Sequence, residues 1–217
     1  MKIVKQGWDF VLWPDGDIVL KTIEAAGRTC YKSEAKITSD SAPEFCKKML
    51  LSGHHSVIEH QNITVRIITD RGVTHEIVRH RLASYSQEST RYCNYAGGVS
   101  FILPVWLNLA TGEYNHPDQC PKGDHNLYYW FMSMLEAERA YSTLIAHDWT
   151  PQQARSVLPN SLKTEIVMTC NIREWRHFFT LRCSLAAHPQ MRDLANGMLK
   201  GFQQAIPILF DDVPVSN

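Results

Sequence analysis

No run of 18 apolar residues occurs in this 217-residue chain, so no segment is expected to span a membrane. The opening stretch, MKIVKQGWDFVLWPDGD, has no apolar core ending in small residues, so no secretory signal is expected either. There is no excess of charge: 22 Lys and Arg balance 22 Asp and Glu. That balance argues against a protein whose whole surface clamps nucleic acid, and against an acidic tail. No C-x-x-C pair joins the six scattered cysteines, which read as reduced thiols in a cytoplasmic setting. Neither G-x-G-x-x-G nor G-x-x-x-x-G-K-[ST] is present, which removes the usual phosphate cradles, and there is no G-x-S-x-G elbow. Repeats, low-complexity tracts and charge blocks are absent too. One domain spanning 1–217 is expected, with the breaker-rich stretch 110–125 as an insertion loop.

The patterns that are present alternate between two periods. Ile63, Val65 and Ile67 predict a half-buried strand over 62–69, and Leu162, Thr164, Ile166 and Met168 predict a second. Helices are expected over 18–26, 41–51, 70–81, 127–145 and 151–157. Another should start at Asn171, a capping residue with Glu174 three positions on, and a last one should run from Met191 to a stop or kink at Pro207. Residues 84–98, polar and aromatic, read as an ordered loop, and Phe101–Leu103 as a further strand. Strands mixed with helices and lacking a βαβ rhythm indicate an α+β fold, an antiparallel sheet with flanking helices.

Ten histidines invite a metal reading, but the spacings oppose it. His75 and His80 stand five apart, one more than H-E-x-x-H allows, so they point about 140° apart on a helix. No metal is expected. A denser signal is Arg79-His80-Arg81 followed by SYSQESTRY, where three arginines, hydroxyls and an amide gather beside Tyr85 and Tyr92. Such a set suits a nucleotide or an anionic cofactor, because guanidinium forks bind phosphate oxygens in pairs. It equally suits a solvated basic helix end with Glu76 and Arg79 paired. On the helix after Asn171, Arg173 and His177 share a side, while Arg182 falls near 280°, between Phe178 near 240° and Trp175 near 300°. An arginine on an aromatic stripe is paired or functional more often than not.

Arg79-His80-Arg81, seven residues, then Ser89 resembles the R-H-R-x7-S signature of the flavin-dependent thymidylate synthases. The similarity extends to Arg28–Tyr31, Gly53–His60, Ala154–Pro159, Asn171–Arg173 and Leu181-Arg182, in the family's order. The resemblance implies an enzyme, a methyltransferase that makes dTMP from dUMP with methylenetetrahydrofolate as carbon donor, NAD(P)H as reductant and FAD as hydride carrier. It implies a homotetramer with sites shared between subunits, and no cysteine nucleophile. By position it implies FAD contacts at Ser56, Arg79, His80, Arg81, Gln87, Asn171, Arg173 and His177. Deoxyuridylate contacts are implied at Glu76, Arg79, Gln87, Glu88, Ser89, Thr90, Arg91, Arg155 and Arg182, with Arg182 favouring the ionised uracil. Neither nucleic acid nor membrane is expected as a partner. The rival class is a non-catalytic nucleotide- or RNA-binding module using the same arginines, with a histidine-based metallohydrolase third.

Overall fold

The computed structural model describes residues 1–214; residues 215–217 lie outside the described residues. In chain order the elements are β1 (Lys2–Val4), β2 (Gly7–Phe10), α1 (Gly16–Thr29), α2 (Ala42–Leu51), β3 (Asn62–Asp70), α3 (Arg71–Ile77), β4 (Ala83–Gln87) and β5 (Ser100–Ile102). There follow β6 (Gly112–Glu113), α4 (His125–Ala146), α5 (Pro151–Ala154), β7 (Lys163–Asn171), α6 (Ile172–Arg182), α7 (Pro189–Ala205) and α8 (Pro207–Phe210). Short 3₁₀ turns occupy Glu34–Lys36, His55–His60, Pro117–Gln119 and Arg155–Val157. The expected α+β class is observed. No helix among the described residues is long and apolar enough to cross a membrane.

Two sheets form, ordered β5-β1-β6 and β2-β3-β7-β4. In the larger one β3 and β7 run antiparallel: Arg71 N–H reaches Leu162 O (3.1 Å) at one end, and Ile172 N–H reaches Gln61 O (3.0 Å) at the other. Period-two alternation sets the burial, with Ile63, Val65, Ile67 and Thr69 inward on β3, and Thr164, Ile166, Met168 and Cys170 inward on β7. The smaller sheet departs from the antiparallel expectation, because β1 pairs β5 in parallel (Ile3 opposite Phe101). The long chain between them permits the crossover that a parallel pair needs. β6 pairs β1 antiparallel, so the expected insertion 110–125 supplies a strand and buries Cys120.

The chain divides into two compact units, one of residues 1–7, 67–78 and 86–166, the other of 8–66, 79–85 and 167–214 among the described residues. The core of the first gathers Ile3, Val99, Phe101, Leu127, Phe131, Met134, Tyr141 and Leu162. That of the second is aromatic. Trp175, Phe178, Phe179, Phe202 and Phe210 are fully buried and meet one another at ring-centroid distances of 5.0–6.0 Å. Trp175 satisfies its indole N–H on Ile63 O at 3.0 Å, so the ring is buried without an orphan donor.

Two expected boundaries move. α3 stops at Ile77 rather than near Arg81, and residues 83–87 form an edge strand rather than a loop. His80 explains the first: its ring is buried, which draws the chain out of the helix just after Val78. β4 carries no apolar alternation because, as an edge strand, it is only half-buried on its inner side.

Candidate functional site

In the first unit the polar residues after β4 are held by a bonded scaffold. Gln87 donates from Nε2 to Oγ1 of Thr74 (3.0 Å) and of Thr164 (3.4 Å), while Glu88 N–H bonds Glu165 O. Ser89 O accepts from the N–H groups of Tyr92 and Cys93, and Ser89 Oγ accepts from Arg91 N–H, which closes a turn. Thr90 is buried and accepts from Arg155 Nη1 at 3.0 Å. Arg91 lies exposed with its guanidinium carbon 5.4 Å from the centroid of the Tyr92 ring.

Glu88 would repel a phosphate if bare. It is not bare: Lys163 Nζ lies 3.2 Å from its Oε2, and Tyr95 donates its hydroxyl at 2.7 Å. Burial works against the Lys163 charge, yet its bonds to Glu165 and Glu88 outweigh that and hold its pKa above the usual lysine value. Burial, then the Glu88 carboxylate, push the Tyr95 phenol up, so it stays a donor. Sequence reasoning passed over Lys163, Glu165 and Tyr95. The alternation of β7 held the available signal, since it turns Lys163 and Glu165 to the face opposite Thr164.

In the second unit the middle of the Arg79-His80-Arg81 run turns inward. Arg79 and Arg81 are exposed, and neither has an ion-pair partner among the described residues. His80 is 4% exposed and bonds on both sides, Nδ1 to Glu174 Oε1 at 3.1 Å and Nε2 to Arg182 Nε at 3.1 Å. A guanidinium only donates, so Nε2 must be the acceptor and Nδ1 must carry the proton. The imidazole is therefore neutral and Glu174 accepts. Burial lowers the His80 pKa below its ordinary value, Arg182 and His177 add to this, and Glu174 opposes it. Tyr85 locks the backbone here by donating its hydroxyl to His80 O at 2.7 Å.

Asn171 caps α6 as expected, accepting Glu174 N–H at 2.9 Å. Glu174 does not act only locally, since its carboxylate goes to His80, 94 positions away. Arg173 pairs with Glu59 at 2.6 Å, and exposed His177 lies 5.7 Å from His80 between ring centroids. Ser56 is exposed on the 3₁₀ turn His55–His60. His80, Glu174 and His177 bring ligand-type atoms within 4.8 Å of one another. Both nitrogens of His80 are already committed, however, and a guanidinium at 3.1 Å opposes a cation there.

The expected residues thus fall into two groups. Glu76, Gln87, Glu88, Ser89, Thr90, Arg91 and Arg155 belong to the first unit, and Ser56, Arg79, His80, Arg81, Asn171, Arg173, His177 and Arg182 to the second. Within the second, Arg182 is half-buried, as its place on the aromatic stripe required.

The sequence profile of the thymidylate synthase complementing protein family matches residues 18–208. This chain belongs to that family. Its relatives include the flavin-dependent thymidylate synthase of Geobacter sulfurreducens, 34% identical over 199 residues that cover 88% of this chain and 80% of that protein. The enzyme of the same name from Mycobacterium avium is 33% identical over 200 residues, with 90% and 80% covered. The fold is shared with a UMP/dUMP methylase from Streptomyces cacaoi solved with 5-bromo-dUMP. There the TM-score is 0.75 at 22% identity, covering 97% of this chain and 96% of the other. The resemblance carried by Arg79-His80-Arg81 and Ser89 therefore identified the family correctly.

Proposed function

We propose that this chain is a flavin-dependent thymidylate synthase, which reductively methylates dUMP to dTMP using methylenetetrahydrofolate and NAD(P)H, with FAD as cofactor. The observation that carries the reading is the inward turn of His80 onto Arg182, which leaves the flanking guanidinium groups of Arg79 and Arg81 exposed. Exposed, uncommitted guanidinium forks fit the pyrophosphate of a dinucleotide. Ser56, Arg79, Arg81, Asn171, Arg173 and His177 are the groups that would hold it, and Gln87 is assigned the same role by the family's pattern. With both ring nitrogens committed, His80 would contribute its backbone N–H. When bound, FAD carries hydride from the nicotinamide to the transferred carbon.

The residues of the chain supply orientation and charge. Arg91 and Arg155 offer cations to the nucleotide phosphate, and Ser89, Thr90 and Gln87 position the nucleotide by hydrogen bonds. Glu88 is held by Lys163 and by the Tyr95 hydroxyl, which turns its carboxylate to these partners rather than to an incoming anion. Arg182 presents a fixed planar cation to the O2/N3 edge of uracil and stabilises negative charge developing there. Glu76 is assigned a place beside the nucleotide. Six free thiols fit a reducing, cytoplasmic compartment. A homotetramer with sites shared between subunits is part of the same reading.

A flavin absorption spectrum of the purified protein, followed by titration with dUMP and a sedimentation mass, tests this. A yellow tetramer whose spectrum responds to dUMP is expected. A colourless protein that ignores dUMP would sink the reading.

A further inference from the structure

We propose that Glu174 and His80 are positioning residues that act in series to hold the Arg182 guanidinium in its working pose. Protonation of His80 releases that hold. This rests on the reading of Arg182 as the residue that meets uracil.

Three features of the second unit support it. The three groups form one bonded line, Glu174 Oε1 to His80 Nδ1 and His80 Nε2 to Arg182 Nε, each step 3.1 Å long. Glu174 and His80 are buried, so the line is shielded from competing water. The donors also allow one arrangement only: Arg182 cannot accept, so His80 must be neutral with its proton on Nδ1, and that proton needs the acceptor that Glu174 supplies. The anchor is itself fixed, because Glu174 N–H is tied to the Asn171 cap and Tyr85 bonds the His80 carbonyl. Losing Glu174 or Arg182 leaves a buried nitrogen of the His80 ring without its partner, and losing His80 leaves the buried Glu174 carboxylate without its donor.

A second proton on the imidazole would sit on Nε2. The acceptor is then gone, and two cations face each other across the former bond. The charged and titratable groups around His80 are Glu174, Arg182 and His177 on α6 and Tyr85 on β4, with Cys170 of β7 beside Glu174 and Tyr85. Burial pushes both Tyr85 and Cys170 up, so they remain neutral. The lowered His80 pKa keeps the neutral ring dominant at neutral pH, and the hold is lost as pH falls below the ordinary histidine range. Glu174 is the group that raises the His80 pKa, so its neutral amide analogue must move the transition further toward acid.

The test is the affinity of the FAD-loaded tetramer for dUMP as a function of pH, with flavin content and melting temperature as checks on folding. Arg182→Lys keeps a charge without the fork. His80→Asn keeps a donor for Glu174 but removes the acceptor for Arg182, whereas His80→Gln places its amide oxygen near the former Nε2. At neutral pH, Arg182→Lys and His80→Asn are each expected to bind dUMP at least about tenfold more weakly than wild type. His80→Gln should stay within about threefold and lose the acid transition. Glu174→Gln, whose amide oxygen still accepts from Nδ1, should keep the transition but at lower pH than wild type. The phosphate of dUMP also titrates near pH ~6, and comparing variants with the same ligand cancels it.

Wild-type affinity in Arg182→Lys would overturn the reading of Arg182, and the proposal with it. A weakened Arg182→Lys beside an unaffected His80→Asn would overturn the proposal alone. So would an unmoved acid transition in Glu174→Gln, which carries the test should His80→Asn fail to fold.

Discussion

Arg155 donates from Nη1 to the hydroxyl of Thr90 at 3.0 Å, tying an exposed arginine to a buried threonine 65 positions away. This bond restricts where Arg155 can point, and so where a nucleotide phosphate would find it. Thr90→Val keeps the volume and removes the acceptor. It should cost about 1 kcal/mol of stability and weaken dUMP binding about fivefold, read by melting and calorimetry. Unchanged affinity would show that Arg155 needs no help from Thr90.

Ser89 lies in the same turn, but its hydroxyl accepts Arg91 N–H and so serves to shape the loop. Among the described residues no His, Asp or Glu side chain is bonded to that hydroxyl to activate it as a nucleophile. Ser89→Ala should raise KM for dUMP several-fold and leave measurable turnover. A covalent adduct on Ser89 in mass spectra taken during catalysis would contradict this.

The cysteines lead to a similar expectation. Burial raises the thiol of Cys46 to about 12 and that of Cys183 to about 11, and raises Cys170 as well, so these remain protonated and inert. Cys30 is exposed and Cys93 partly so. Alkylation of the native protein should label Cys30 and Cys93 first, and a Cys30→Ser, Cys93→Ser double variant should retain turnover. Abolished activity in that variant would reinstate a cysteine nucleophile.

Two glycines of α7 offer a matched pair for stability. Glycine inside a helix is worse than alanine by about 1 kcal/mol, so Gly→Ala should stabilise where there is room. At Gly197 an added Cβ meets Trp8 Nε1 at an ordinary 3.7 Å, and a small gain is expected. At Gly201 the Cβ would overlap Cη2 and Cζ2 at the edge of the Trp8 ring, itself packed edge-on to Phe10 at 5.1 Å. Overpacking of about 1–3 kcal/mol should then outweigh the helix gain of about 1 kcal/mol, a net loss of up to about 2 kcal/mol that lowers Tm by up to about 8 °C in a scanning calorimeter. A higher Tm for Gly201→Ala would show that Trp8 moves freely.

The elements legible in the sequence were those whose periodicity follows burial on a single face. β3, β7 and α7 bury residues in strict alternation or along one stripe, and their patterns gave them away. β4 and the end of α3 were illegible because tertiary partners decide them: β4 is held by pairing with β7, and α3 gives way where His80 is buried. At the site, Arg182 stood out because a charge on an aromatic stripe violates a local rule. Glu174 did not, because a local rule already accounted for it. Its position three residues after Asn171 fits a helix cap, and nothing nearby in the sequence indicates that its carboxylate serves His80.

The junctions of β3 with α3 and of β7 with α6 contain no spare residue. Asp70 ends β3 and caps α3, accepting Val73 N–H at 2.7 Å, and Asn171 ends β7 and caps α6 in the same way. A single inserted residue near the end of either strand would shift the pairing or turn the attached helix by about 100°. In the second case Glu174, His177 and Arg182 would be carried off their bearings together. A change of chain length at either junction is therefore felt at the far end of the attached helix, where Arg182 closes α6.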